Sequence, residues 1–562
     1  MDDKNVEMRS YGVADDSDRS NSNVDGGTAT ARGRRGGTAR DEQEMAYFGK
    51  EQQLKASNYF SNVRNFGFWS IAGFVCTLLS TWEGLFAAFL YGFQNGGPAG
   101  LVYGFIFAWL GSLAVVASLA EMASMMPLSG GQYHWVSILA PGRWAKFMSY
   151  TTGENFLHLK NPRNDHACPG WLTVIAWQAG QASVAFLAAS IIQGMVILNH
   201  ESYVPQRWQG TLIFYALIFV IVFINTFLAK WLPKIEGLLL IFHILGFFAI
   251  LIPLVYLAPH SSAKDVFVTF VNGGGWSSDG LSWFVGIVTS VFAFLGADSA
   301  CHMSEEIHNA STVVPNVMMF SLLLNGVLGF AMLIAILFCL GSINDALATP
   351  TGFPFIEIFL QATNSKSGAT VMTALVMLLM AAASIGVMAT ASRMLWAFAR
   401  DNGVPFSKHI GRVHEPTALP LYAILVCTVT SLLLCLINIG SSAAFNAIVS
   451  ITTASFFTSY AIPTALLLHK RLRNDPVKDN IHWGPWKMGP VLGPIVNVCA
   501  LIYSAIAMFF SFWPSTANVT LQNMNWSALI WGGVIIFSMI FYVVRGKNNF
   551  KWSIVDPIRH NQ

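Results

Sequence analysis

Two carboxylates stand where carboxylates are costly. Glu83 ends the run Cys76-Thr-Leu-Leu-Ser80-Thr81-Trp82-Glu83-Gly84, and Asp298 lies in Phe292-Ala-Phe294-Leu-Gly296-Ala297-Asp298-Ser299, both otherwise apolar or small. An acid taken out of water binds a cation, exchanges a proton, or pairs quietly with a neighbouring helix. A glycine near each acid lets the backbone leave helical geometry and offer free N–H and C=O groups, or serves merely as a packing contact. His243 and His302 lie in similarly apolar stretches; imidazole titrates near neutral pH, so each is a candidate proton relay or a structural hydrogen-bond donor. Asp298, His302 and Glu306 share the i, i+4, i+8 spacing of ligands on one helical face, but no fourth ligand accompanies them and no metal is expected. Trp82, Phe292 and Phe294 flank the two acids, where an aromatic face can hold an organic cation.

The elements that position these residues are membrane helices. The 562-residue chain is 54% apolar and 11% charged, whereas about a quarter of a soluble chain is charged. That excludes a soluble enzyme or nucleic-acid binder, and the net charge of +3 is too small to matter as a total. A ruler of about 20 apolar residues per crossing finds twelve segments, near 66–93, 99–121, 171–198, 210–229, 235–257, 283–303, 317–341, 369–395, 419–438, 443–468, 491–512 and 526–544. With the N-terminus inside, the inner loops carry Arg143, Lys146, Lys230, Lys234, Arg400, Lys408, Arg412, Lys470, Arg471, Arg473, Lys478 and Lys487. The outer loops carry Arg207, Lys264 and Lys366. Positive charge is retained inside, so both termini are expected in the cytoplasm. Glu121, Glu305 and Glu306 then fall at the cytoplasmic interface, and the sequons at Asn518 and Asn525 fall outside.

The acid-and-glycine positions occupy segments one and six, which correspond if segments 1–5 and 6–10 are two repeats of five; an odd repeat length makes the repeats inverted. Broken helices at matching positions of two halves point to the binding site of a secondary transporter. The expected site is Ser80, Thr81, Trp82, Glu83, Gly84, Phe292, Phe294, Gly296, Ala297 and Asp298, with Glu83, His243, Asp298 and His302 as candidates for proton coupling. The seven cysteines follow no disulfide or zinc spacing, and Cys168 alone lies in a polar stretch. No hydrolase elbow, zincin or phosphate-loop motif appears, so no enzyme is expected. Residues 1–62, of mixed charge, read as a disordered cytoplasmic tail with Lys4, Lys50 and Lys55 open to modification, 63–545 as the membrane domain, and 546–562 as a second cytoplasmic tail.

Three motifs, Asn95-Gly-Gly-Pro98-Ala-Gly100, Ser118-Leu-Ala-Glu121-Met-Ala-Ser124 and Pro127-Leu-Ser-Gly130-Gly131-Gln132-Tyr133-His134-Trp135, resemble the amino acid–polyamine–organocation superfamily, in particular its fungal amino acid, GABA and choline permeases. Gly296-Ala-Asp298 followed by His302-Met-Ser-Glu305-Glu306 and Pro315, and Ser392-Arg393-Met394 through Arg400-Asp401-Asn-Gly403-Val-Pro405, are similar to the same family. The resemblance runs from about 66 to 544. It implies an all-α membrane protein of 12 transmembrane helices with the leucine-transporter fold, two inverted five-helix repeats plus two C-terminal helices. Alternating access would carry an amino acid or organic amine inward, usually with protons, without a cofactor. Unwound backbone at Ser80 to Gly84 and Phe294 to Asp298 would hold the substrate. A single Gly84 beside Glu83 replaces the superfamily's glycine-rich break, which favours a substrate with a cationic end, such as GABA, choline or a polyamine. The plasma membrane is the expected location, with the vacuolar membrane as alternative; a nutrient-sensing receptor on the same scaffold is the alternative function.

One stretch departs from the family pattern. Residues 154–170, Glu154 to Gly170, separate Gly153 from Trp171 where the family places Gly-Trp at the start of the third span. Lys160, Pro162, Arg163 and Asp165 forbid a lipid-facing helix there. Two origins stay open. One is a retained in-frame intron of 51 nucleotides, since Gly153-Glu154 and Pro169-Gly170 can encode its donor and acceptor sites; the other is a loop insertion.

Overall fold

The computed structural model describes residues 39–48, 50, 53–54, 66–140, 170–200, 202–440, 444–473, 483–521, 523–546 and 550. The insert therefore lies outside the described residues except for Gly170, as do Lys4, Lys55, Arg143, Lys146 and Lys478.

The regular elements among the described residues are helices, with isolated bridges such as Phe66 to Ile307. A short helix α1 (Ala39–Tyr47), within the stretch whose composition reads as disordered, precedes α2 (Phe68–Leu79) and α3 (Thr81–Gln94). Then follow α4 (Gly97–Met125), α5 (Gln132–Leu139), α6 (Gly170–Asn199), α7 (Arg207–Phe227) and α8 (Leu232–Leu257). The second half holds α9 (Asp279–Phe292), α10 (Ser299–His302), α11 (Ala310–Phe338), α12 (Lys366–Arg400) and α13 (Leu421–Gly440). The last three are α14 (Ala444–Arg473), α15 (Leu492–Ser511) and α16 (Ser527–Phe541).

Among the described residues eleven helices are long and apolar enough to cross a membrane, α2 and α3 together forming one. The expected sixth span is no continuous helix: α9 ends at Phe292, residues 293–298 form turns, and only the single turn α10 follows. Glu306, in a separate 3₁₀ turn, therefore leaves the helical face expected to hold Asp298 and His302. Outward faces of α7, α8 and α13 carry exposed Phe219, Phe223, Phe242, Leu245 and Leu425, a girdle suited to lipid. Inside, α2 and α11 pack against α8, α12 against α6, and α14 against α6 and α15. Without a hydrophobic drive between helices in lipid, small residues set such approaches. Gly73 is the clearest case, since a Cβ there would sit 2.6 Å from the Glu236 carbonyl oxygen of α8.

Candidate functional site

Two backbone breaks meet at the centre. The first is a single residue, Ser80, in left-handed geometry (φ 41°) between α2 and α3. Its amide still bonds the Cys76 carbonyl, and its hydroxyl donates to the carbonyl of Thr77. Glu83 and Gly84 thus belong to the first turn of α3, where the helix dipole favours an acid. The second break is wider. Gly296 has φ 101°, and a Cβ there would lie 2.8 Å from Leu78 of α2, so glycine answers both torsion and space. Thr81 joins the breaks by donating its hydroxyl to the Ala293 carbonyl at 2.9 Å. Asn325 of α11 fastens the first break from behind: its amide nitrogen donates to the Cys76 carbonyl at 3.3 Å, and its oxygen accepts from the Thr81 N–H at 3.4 Å.

The acids lead into two separate clusters. Glu83 lies against α8, its Oε1 2.7 Å from His243 Nδ1, both side chains fully buried. Trp82 also faces α8, with its ring 5.8 Å from the His243 ring and close to Phe86 and Phe247. Space is open beside Gly84, where an added Cβ would meet no atom within 4 Å. Asp298 accepts hydrogen bonds from Gln132 Nε2 at 2.7 Å and from the Tyr460 hydroxyl at 2.6 Å. His302 lies 2.8 Å from the Ser129 carbonyl through Nδ1, which must therefore donate, and turns Nε2 toward Asp298 at 3.4 Å. Trp177 of α6 covers the His302 ring edge-on and reaches Gly296. Of the other expected site residues, Phe292 and Ala297 are buried at the second break, whereas Phe294 is turned to Phe105 of α4 at 5.0 Å.

Sequence reasoning missed Gln132, Tyr460, Trp177, Asn325, Thr77 and Glu236. Gln132 stands inside a family motif, and Glu236 is a carboxylate inside an apolar span; both signals were present. A buried Tyr, Asn or Trp in a membrane helix gives none.

At the end of the bundle that collects the basic residues, buried ion pairs cluster. Arg393 bonds Glu306 at 3.0 Å, Arg400 meets Glu305 at 2.8 Å, and Arg471 pairs with Glu121. Lys50 reaches Asp401, which also accepts from Tyr133 at 3.0 Å and lies 2.9 Å from His134 Nε2. Burial pushes His134 down to about 4, leaving a neutral imidazole whose Nε2–H donates to Asp401. Burial opposes ionisation of Asp401, yet the His134 hydrogen bond and the charges of Lys50 and Arg400 hold its carboxyl well below the usual range.

Family comparison agrees with this architecture. Residues 66–535 match the amino acid permease family. The choline transporter of Saccharomyces cerevisiae is 30% identical over 87% of this chain and 82% of its own length. Amino-acid permease 2 of Neurospora crassa is 27% identical over 89% and 86%, and the swainsonine transporter of Arthroderma benhamiae 28% over 82% and 87%. Among solved structures, the manganese transporter of Eremococcus coleocola shares the fold at a TM-score of 0.50 and 15% identity, covering 85% of this chain and 94% of the other. The chain is a multi-pass membrane transporter, not an enzyme, and belongs to the amino acid permease family of the amino acid–polyamine–organocation superfamily.

Proposed function

We propose that this transporter imports a small amine-bearing solute, an amino acid, GABA, choline or a polyamine, by proton-coupled alternating access. The observation that carries the reading is the pair of breaks at Ser80 and Gly296, each followed within three residues by a buried carboxylate, Glu83 and Asp298. Backbone groups freed at such breaks replace the water of a polar solute. A carboxylate there can face an ammonium group, and one beside a histidine can exchange a proton as the site changes sides. The open space beside Gly84 supports a substrate seat bounded by α3, and the named substrates of the yeast and dermatophyte relatives, choline and swainsonine, support an organic amine. On this reading the basic end faces the cytoplasm and the ion pairs there hold that side shut. Residues 1–62 are the cytoplasmic tail, and the plasma membrane is the working location.

The test is uptake of radiolabelled GABA, choline, putrescine and a panel of amino acids into permease-deficient yeast. The full chain is compared with one lacking residues 154–170. Uptake of one substrate that rises as the outside is acidified is the expected result. Absence of uptake by both chains, each shown at the cell surface, overturns the substrate assignment. Uptake by the shortened chain alone identifies the insert as incompatible with transport.

A further inference from the structure

We infer that Glu236 is a second proton-carrying residue, between the Glu83–His243 pair and the basic end; this rests on the proton-coupled reading above. Glu236 lies on α8 seven residues before His243, two turns or about 10 Å along the axis, and both are fully buried facing α2 and α3. The Thr77 hydroxyl of α2 lies 2.9 Å from Glu236 Oε2 and 2.8 Å from the Gly73 carbonyl. A hydroxyl owns one hydrogen. Donated to the carboxylate, it leaves the Gly73 carbonyl contact unmade; donated to the carbonyl, it leaves the second contact to be made by a protonated carboxyl, so the site can serve Glu236 in either protonation state. The other oxygen, Oε1, has no hydrogen-bond partner among the described residues.

No cationic side chain among the described residues lies within 4 Å of Glu236, although an ionised carboxylate in so dry a place requires one. The helices packed against α8 carry few titratable groups. They are Cys76 on α2, Glu357 on Pro354–Thr363, and Lys366, Arg393 and Arg400 on α12; α11 carries none. Arg393 and Arg400 are held by Glu306 and Glu305, while Lys230 and Lys234 sit exposed around Trp231. On α8 itself His243 is occupied by Glu83. Glu236 is thus a carboxyl set up to be neutral when this end is closed and to lose its proton when water reaches it.

The step is a proton transfer with no other bond changed. The Glu83–His243 pair gives up a proton, water and the Ser80 and Thr77 hydroxyls convey it, and the Glu236 carboxylate gains an O–H. That O–H breaks when the proton passes to water at the basic end. A solute could then move with its proton without Glu83 itself meeting the inner water.

The purified full chain is reconstituted into liposomes enclosing a pH-sensitive dye, with the substrate found in the uptake screen as probe. Wild type is expected to show proton influx with uptake, the check on coupling; its absence overturns proton coupling, and this inference with it. In Glu236→Gln, which keeps the shape of the neutral acid, substrate exchange should stay within about twofold of wild type while gradient-driven accumulation and proton influx fall about tenfold or more. Accumulation and proton influx at wild-type levels would overturn the role of Glu236 while leaving coupling intact. Loss of exchange together with accumulation would also overturn it, as evidence of a structural role. Thr77→Val, which removes the shared hydroxyl but not the acid, should displace the pH profile of uptake; an unmoved profile counts against the relay.

Discussion

Asp298 is approached from three elements: Gln132 of α5, Tyr460 of α14 and His302 of α10. Hydrogen bonds from Gln132 and Tyr460 engage both oxygens, and no lysine or arginine among the described residues pairs with the acid. On the proposed reading such a carboxyl serves a cation or a proton rather than a quiet ion pair. We therefore expect Asp298→Asn to lower uptake about tenfold or more, with surface expression unchanged, when initial rates are compared in yeast. Tyr460→Phe, which loses one hydrogen bond of about 0.5–1.5 kcal/mol and keeps the ring, should cost only a few-fold. Wild-type uptake by Asp298→Asn would remove Asp298 from the mechanism. The acid itself was legible in the sequence because a charge inside an apolar run has few innocent explanations. Its partners were not: Tyr460 lies among Thr452, Thr453, Ser455 and Ser459, most of whose hydroxyls bond their own helix, and spacing alone does not say which side chain leaves it.

The helices themselves were the easiest feature to read, since about 20 apolar residues per crossing is a demanding pattern, and Gly296 marked the interruption between α9 and α10. The helix α1 and the residues after it were not, because a short polar segment of mixed charge folds only where it finds a surface. It finds one here. Asp41 accepts hydrogen bonds from the backbone N–H groups of Asn309 and Ala310, both at 3.1 Å, and so caps α11 from a distant part of the chain. Glu44 accepts from Ser311, the Gln53 N–H donates to Glu305, and Met45 and Leu54 are buried. Lys50 completes the attachment at Asp401, although burial lowers its affinity for a proton. Loss of such a cap costs about 1 kcal/mol, or about fivefold in the docked population. In Asp41→Ala, limited trypsin digestion of the purified chain should therefore cut at Arg40 and Lys50 about fivefold faster, with unchanged cleavage elsewhere. Equal rates would mean that the cap contributes nothing to docking.

Across the whole molecule the two sets of five spans treat their acids alike. In each, an acid at the start of the half-helix after the first-span break bonds a titratable group on the repeat's fifth span, Glu83 with His243 on α8 and Asp298 with Tyr460 on α14. If the two sets of five spans are inverted copies, as the family resemblance implies, they run oppositely through the membrane and one pair falls on each side of the central crossing, a disposition that would suit alternating access. Which side is which follows from the basic end, and the sequons offer a direct reading of it. Asn518 is exposed between α15 and α16 at the opposite end. Asn525, expected to be equally available, is buried, and its amide nitrogen lies 2.9–3.0 Å from the Ser450 hydroxyl and the Ser511 and Trp513 carbonyls, among which its two hydrogens are shared, so it is a structural residue rather than a glycan acceptor. If the basic end is cytoplasmic, Asn518 enters the lumen during synthesis. Expression in a eukaryotic cell should then give a band that endoglycosidase shifts and that Asn518→Gln abolishes, whereas Asn525→Gln leaves the glycan in place. An epitope at the N-terminus should be reached by antibody only after the cells are permeabilised. Labelling of that epitope on intact cells would invert the topology, and with it the direction assigned to Glu236 and to the proton that it carries.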